Sequence, residues 1–262
     1  MRLSRWCTSL AALGGLAGSL VLGASVSSAA PADKDGTQAA RPTVPAPGLV
    51  GAPTQLADEH DGPGQPRVCK GLVPDPIPPA LRAYYFCGDW RLGPTLLPTH
   101  GALRSILHGY ERLGGLTAVR FLDRWWNPAG DSGQGDWRYP PDDGYTHRNQ
   151  TVLAAPLVLH AGLKLDRFGS EAGRFLAPAG TKYGKRSIPP SGLNTIDPRY
   201  PYDYHLYRLA KDVTVCAGTT APGFEQPGLG TQYVTSSQFC PDIPRTTVSD
   251  LVRNGTLVRL NK

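Results

Sequence analysis

The sequence predicts an α+β protein in which sheet outweighs helix. Short runs of β-forming residues at 204–209, 213–216, 232–235 and 257–260 are separated by prolines and glycines at close intervals, the punctuation of a sheet-rich domain. One amphipathic helix precedes them. Downstream of residue 30 the cysteines are Cys69, Cys87, Cys216 and Cys240, an even set in a chain whose start reads as an export signal, so two disulfides are expected and a metal site is not.

Arg2 and Arg5 precede a small-residue apolar run at 10–26, and Ser28-Ala29-Ala30 supplies what a signal peptidase cuts, so residues 1–30 are expected to leave the chain. The run is interrupted by glycine and serine, too short and too weakly flanked to read as a membrane span, with a retained anchor the lesser alternative; Cys7 stands before it instead of just after a cleavage site and does not read as a lipid-attachment cysteine. Residues 31–66, with Pro42, Pro45, Pro47 and Pro53 among small residues, bury too little apolar surface to offset ordering entropy and read as a linker.

Residues 67–158 form an N-terminal region. Thr99 is placed to cap a helix in which Leu103, Ile106, Leu107, Tyr110 and Leu113 recur at helical spacing before Gly114-Gly115 ends it. Val119, Phe121 and Leu122 then lead into Trp125-Trp126, which with Tyr84, Tyr85, Phe86 and Trp90 are expected to pack a core. Tyr139-Pro140-Pro141-Asp142-Asp143-Gly144-Tyr145 is a turn. Residues 159–262 carry the strand runs; 152–163 lies between strand and short helix, with Pro156 favouring extended structure.

Removing residues 1–30 leaves 25 basic and 21 acidic residues, a net charge of +4. No basic run exceeds two residues, so a nucleic-acid surface is not expected; a few arginines facing a small anion account for the balance. No Gly-x-Gly-x-x-Gly after a strand, Walker lysine, Gly-x-Ser-x-Gly, His-x-His or Glu-x-x-His pattern occurs. Four cysteines allow three pairings; Cys69 with Cys87 and Cys216 with Cys240 is favoured, because each brackets one turn-rich segment.

The most informative stretch runs from Leu165 to Tyr233. It holds Asp166-Arg167-Phe168-Gly169, then Gly173-Arg174-Phe175-Leu176-Ala177-Pro178-Ala179-Gly180, Arg186, Pro189-Pro190, and Gly228-Leu229-Gly230-Thr231-Gln232-Tyr233. This pattern resembles the TNT domain family, named for the tuberculosis necrotizing toxin, and especially its secreted fungal-type members, which cleave NAD at the nicotinamide bond. Gly88-Asp89-Trp90-Arg91 and Trp137-Arg138-Tyr139-Pro140-Pro141 extend the resemblance over most of 84–240. It implies a compact α+β fold built on antiparallel sheet, a TNT-like glycohydrolase core with a smaller, partly helical N-terminal region, and a nucleotide in a cleft beside the sheet.

Cleaving that bond expels a neutral leaving group from a cationic ring, so little acid help is needed. The site must instead hold the pyrophosphate, fix the nicotinamide and stabilise an oxocarbenium-like ribose while water approaches. Arg167 and Arg186 are the expected anion clamp, since guanidinium forks bind phosphate oxygens, and the resemblance makes Arg167 catalytic. Phe168 and Phe175, seven residues apart, are expected at the nicotinamide, with Tyr183 as a further lining residue. Gln232 is the expected catalytic carboxamide, accepting from ribose hydroxyls or orienting water. The resemblance also offers His205 as a substrate-binding candidate, through a histidine important in some family members, although strand alternation accounts for a histidine there slightly better.

NAD is expected as substrate, with NADP alongside it, and no cofactor is required. Calcium binding, found in some relatives, has no Asp-x-Asp-x-Asp-Gly loop to support it here. The alternatives are ADP-ribosyl transfer to a protein, disfavoured because no glutamate stands in a transferase setting, and an inactive secreted or cell-surface binding module. The expected location is outside the cell or on its surface. No membrane partner is expected once the chain is processed; an immunity protein is conceivable, although export alone would keep the enzyme from cytosolic NAD, and a homodimer stays open.

Overall fold

Seven strands lie side by side in one sheet: β1 (Ala154–Leu159), β2 (Lys164–Phe168), β3 (Phe175–Pro178), β4 (Tyr204–Leu209), β5 (Val213–Thr219), β6 (Thr231–Val234) and β7 (Leu257–Arg259). Their order is β7-β4-β2-β3-β6-β5-β1, and every neighbouring pair is antiparallel. The computed structural model describes residues 66–261; the expected export signal at 1–30 with Cys7, and the expected linker up to residue 65, lie outside the described residues. Pro156 sits on β1, an edge strand, where its missing N–H breaks no inner ladder. The strand β1 runs across position 158, the boundary expected between the two regions.

One face of the sheet is covered by α3 (Val248–Arg253). Val248 and Leu251 of this helix pack on Leu159, Leu165, Leu176, Tyr207, Leu209, Val215 and Leu257. Thr247 and Asp250 close a reciprocal capping box at its start. On the opposite face, Ile106 and Leu107 of α1 (Gly101–Leu107) join Phe168, Tyr183, Leu193 and Tyr204. Further along that face Tyr145 packs with Cys216, Val234 and Cys240.

The N-terminal region has an aromatic core of its own. Trp90, Trp126 and Trp137 interlock edge to face with ring centroids at 5.8 and 5.0 Å, and Phe121 and Phe224 close the cluster. Phe224 comes from the segment between β5 and β6, so the two regions share this core. The disulfides join Cys69 to Cys87 and Cys216 to Cys240, with Cα–Cα distances of 5.5 and 5.7 Å.

Two helical expectations need correction. The first helix stops at Leu107 instead of reaching Leu113, and its N-cap is His100, with no side-chain bond, instead of Thr99. Tertiary contacts override the periodicity: Gly109 turns the chain at φ +79°, the Tyr110 ring packs on Tyr183 at 4.7 Å, and Arg112 donates to the Leu92 and Pro94 carbonyls. The apolar group at 119–126 is itself a helix, α2 (Ala118–Trp125), with Thr117 Oγ1 accepting from Arg120 N. No helix among the described residues is long and apolar enough to cross a membrane.

Candidate active site

Strand register decides which side chains can meet. Asp166 on β2 pairs with Ala177 on β3, Tyr233 on β6 pairs with Leu176, and one step along that register brings Gln232 abreast of Ala177. Side chains abreast in an antiparallel sheet share a face, so Asp166 and Gln232 point the same way with only a methyl group between them. Two strand spacings separate their main chains, roughly 10 Å. Phe168, opposite Tyr204, and Phe175, opposite Val234, belong to this face as well.

Gln232 is buried, and its Nε2 donates to the main-chain oxygen of Asp143 at 2.7 Å. Its ladder partner on β5 is Gly218, where a Cβ would stand 2.5 Å from the Tyr145 ring and 2.4 Å from the Leu153 oxygen. Glycine is therefore required there for Tyr145 to lie against the sheet beside Gln232.

Arg186 reaches the same face from a turn. Its Nη2 donates to Asp166 Oδ1 at 2.6 Å and to the Thr181 oxygen at 2.8 Å, and its Nε also binds Thr181. Asp166 is fully buried and accepts further bonds from Gly180 N and Tyr204 Oη. Burial pushes the Asp166 pKa above its ordinary value, against the pull of Arg186 and the other donors. The Arg186 guanidinium lies over the Phe168 ring at 5.2 Å.

The two phenylalanines differ in setting. Phe168 is buried between Tyr183 and Tyr204, and Tyr183 is enclosed with its hydroxyl donating to the Pro189 oxygen. Phe175 is partly exposed, with the Arg174 guanidinium 5.7 Å from its ring centre. The structure thus leaves Phe175 the more open of the two rings.

Arg167 and His205 are abreast of each other on the other face. The Arg167 side chain curls toward the β2–β3 turn, where Nε donates to the Gly169 oxygen at 3.1 Å and Nη1 to the Phe175 oxygen at 3.2 Å; Nη2 is buried with no hydrogen-bond partner. His205 is buried under Tyr200, whose ring centre is 4.2 Å away, and lies between Asp203 and Glu171. A cavity of about 310 Å³ opens there, lined by His205, Glu171, Asp203, Tyr200, Arg199 and Arg259 among others. Of the residues singled out from sequence, then, Gln232, Arg186, Phe175 and Phe168 share one face. Arg167 and His205 do not join them, although Arg167 binds the carbonyl of Phe175.

Three polar residues at this site escaped the sequence reading. Asp166 stands inside the Asp-Arg-Phe-Gly motif, Asp143 lies in a segment read only as a turn, and Ser237, which donates to Asp143 Oδ2 at 2.7 Å, carried no signal. Among the described residues no group of three or more His, Cys, Asp or Glu side chains is disposed to hold a metal ion.

Comparison with known proteins adds three findings. The family model described as Tuberculosis necrotizing toxin matches residues 158–260. The conidial surface nicotinamide adenine dinucleotide glycohydrolase nadA of Aspergillus fumigatus is 44% identical over 179 residues, covering 68% of this chain and 72% of that protein. Among solved structures, tuberculosis necrotizing toxin complexed with its immunity factor IFT aligns with a TM-score of 0.48 and 20% identity, over 78% of this chain and 98% of that one.

Proposed function

The chain belongs to the tuberculosis necrotizing toxin family, and from that membership we propose that it is an NAD glycohydrolase releasing nicotinamide and ADP-ribose. The observation that carries this reading is the 44% identity to a protein named as a nicotinamide adenine dinucleotide glycohydrolase. The geometry around Gln232 supports it.

In the reaction the bond between C1′ and the nicotinamide nitrogen breaks, and its electron pair neutralises the ring cation. Water then bonds to C1′ and gives up a proton to solvent. Gln232, with Nε2 committed to Asp143, turns Oε1 to the ribose hydroxyls or to that water. Arg186, held from behind by Asp166 and Thr181 through Nε and Nη2, offers Nη1 to a pyrophosphate oxygen. Phe175 lies against the cationic ring. Arg167 acts beside them by fixing the turn that carries Phe175.

Export is proposed on the sequence at 1–30 and on the surface location named for the relative. An immunity protein would protect a producing cell whose own cytosolic NAD met the folded enzyme. The test is product analysis of purified protein with NAD: equimolar nicotinamide and free ADP-ribose are expected. Label appearing on an added acceptor protein would replace hydrolysis with transfer.

A further inference from the structure

The turn that touches Gln232 lies outside the stretch matched by the family model, which begins at residue 158. Asp142, Asp143 and Gly144 all have left-handed backbone, with φ of 56°, 54° and 70°. Two successive non-glycine residues hold that conformation only where their surroundings enforce it.

Several contacts enforce it. Asp143 Oδ2 accepts from Ser237 Oγ at 2.7 Å, and Arg174 Nη2 lies 3.7 Å from Oδ1. The Gly144 oxygen accepts from Ala221 N at 2.7 Å, and the Tyr145 hydroxyl donates to the Cys216 oxygen at 2.9 Å. Ser237 stands three residues before Cys240, which is bonded to Cys216, so the disulfide ties down the loop that grips Asp143.

A carboxamide has a donor end and an acceptor end, and a half-turn about its last torsion exchanges them. With Nε2 fixed on the Asp143 oxygen, Oε1 is the end left for substrate. Gly144 borders that oxygen: a Cβ added there would be 3.9 Å from Oε1.

We propose that Asp143 is a positioning residue for the hydrolysis, its carboxylate anchored by Ser237 and Arg174 so that its main-chain oxygen sets the orientation of the Gln232 amide. This rests on the glycohydrolase reading above. The Asp143 carboxylate itself does not act on substrate; its effect passes through Gln232. The N-terminal region therefore contributes to catalysis as well as to the aromatic core.

The experiment is steady-state kinetics with NAD on the full chain, comparing wild type with Asp143→Ala, Asp143→Asn and Ser237→Ala, with a melting curve for each. Loss of preorientation is expected to lower kcat about tenfold or more in Asp143→Ala and Ser237→Ala while KM stays within about twofold. Asp143→Asn tolerates left-handed backbone and keeps an acceptor for Ser237, so it should recover most of kcat. If Asp143→Ala fails to fold, Ser237→Ala and Asp143→Asn carry the comparison. Wild-type kcat in Ser237→Ala and Asp143→Ala, or a loss expressed in KM alone, overturns the positioning role while leaving the enzyme assignment intact provided Gln232→Ala is inactive. No turnover by wild type overturns both.

Discussion

Gln232 Nε2 and the main-chain oxygen of Asp143 meet at 2.7 Å across 89 residues of sequence. One partner lies on an inner strand and the other on a left-handed turn of the N-terminal region, so the orientation of the amide depends on both parts being folded. The opposing Gly218 makes room for Tyr145, the residue that follows this turn.

Replacing Gly218 by alanine therefore tests how tightly that arrangement is packed. A methyl group there meets a main-chain oxygen and an aromatic ring well inside contact distance, neither of which is a flexible side-chain end. Overpacking of this kind should cost about 2 kcal/mol or more, read as a lowered denaturation midpoint, and turnover should fall because Tyr145 must move. An unchanged midpoint would show that the strand ends yield easily.

The Asp166–Arg186 pair predicts a separation between binding and chemistry. Arg186→Lys keeps a charge but loses the planar fork, so KM for NAD should rise with a smaller change in kcat. Asp166→Ala leaves a buried guanidinium without its carboxylate and should destabilise the fold by about 3 kcal/mol or more, measured by urea unfolding.

Glu171 predicts a pH dependence of stability. Burial opposes its ionisation, but hydrogen bonds from Arg259 and Tyr207, with the Arg259 charge, outweigh this and hold its pKa below the ordinary 4.5. A carboxylate lowered on folding stabilises the protein above its unfolded pKa, and that contribution disappears as pH falls through the folded value. Glu171→Gln should lower the Tm near pH 7 by about 3 °C, the effect of roughly 1 kcal/mol on a domain of this size. The difference from wild type should close as pH falls from 4.5 through the lowered pKa of the native carboxyl. A difference independent of pH would assign the effect to packing.

Each disulfide closes a short loop, with separations of 18 and 24 residues, and should contribute roughly 3 kcal/mol. Reduction should lower the melting temperature, and thiol titration of native protein should find no free thiol on Cys69, Cys87, Cys216 or Cys240. Loss of Cys216–Cys240 should reduce turnover more than loss of Cys69–Cys87, because only the former restrains Ser237.

Much of the fold could be read from sequence because its strands are short alternating runs between breakers. The run at 204–209 is β4 itself, and 232–235 and 257–260 fall within a residue of β6 and β7. The strands β2 and β3 were hidden inside a motif: Leu165-Asp166-Arg167-Phe168 buries every side chain, charged ones included, so no polar face alternates with an apolar one. Register explains what was unreadable in the site. Asp166 and Arg167 are adjacent in sequence and both buried, yet parity sends one toward Gln232 and the other to the far face. Asp143 was unreadable for another reason, since its contact to Gln232 uses a main-chain oxygen that side-chain chemistry does not reveal.

NAD hydrolysis as proposed depends on the Gln232 carboxamide above every other side chain. The direct measurement is turnover of fluorescent etheno-NAD by Gln232→Ala beside wild type, with a melting curve for each. Loss of turnover with nearly unchanged melting is the predicted result; wild-type turnover in the variant would contradict it.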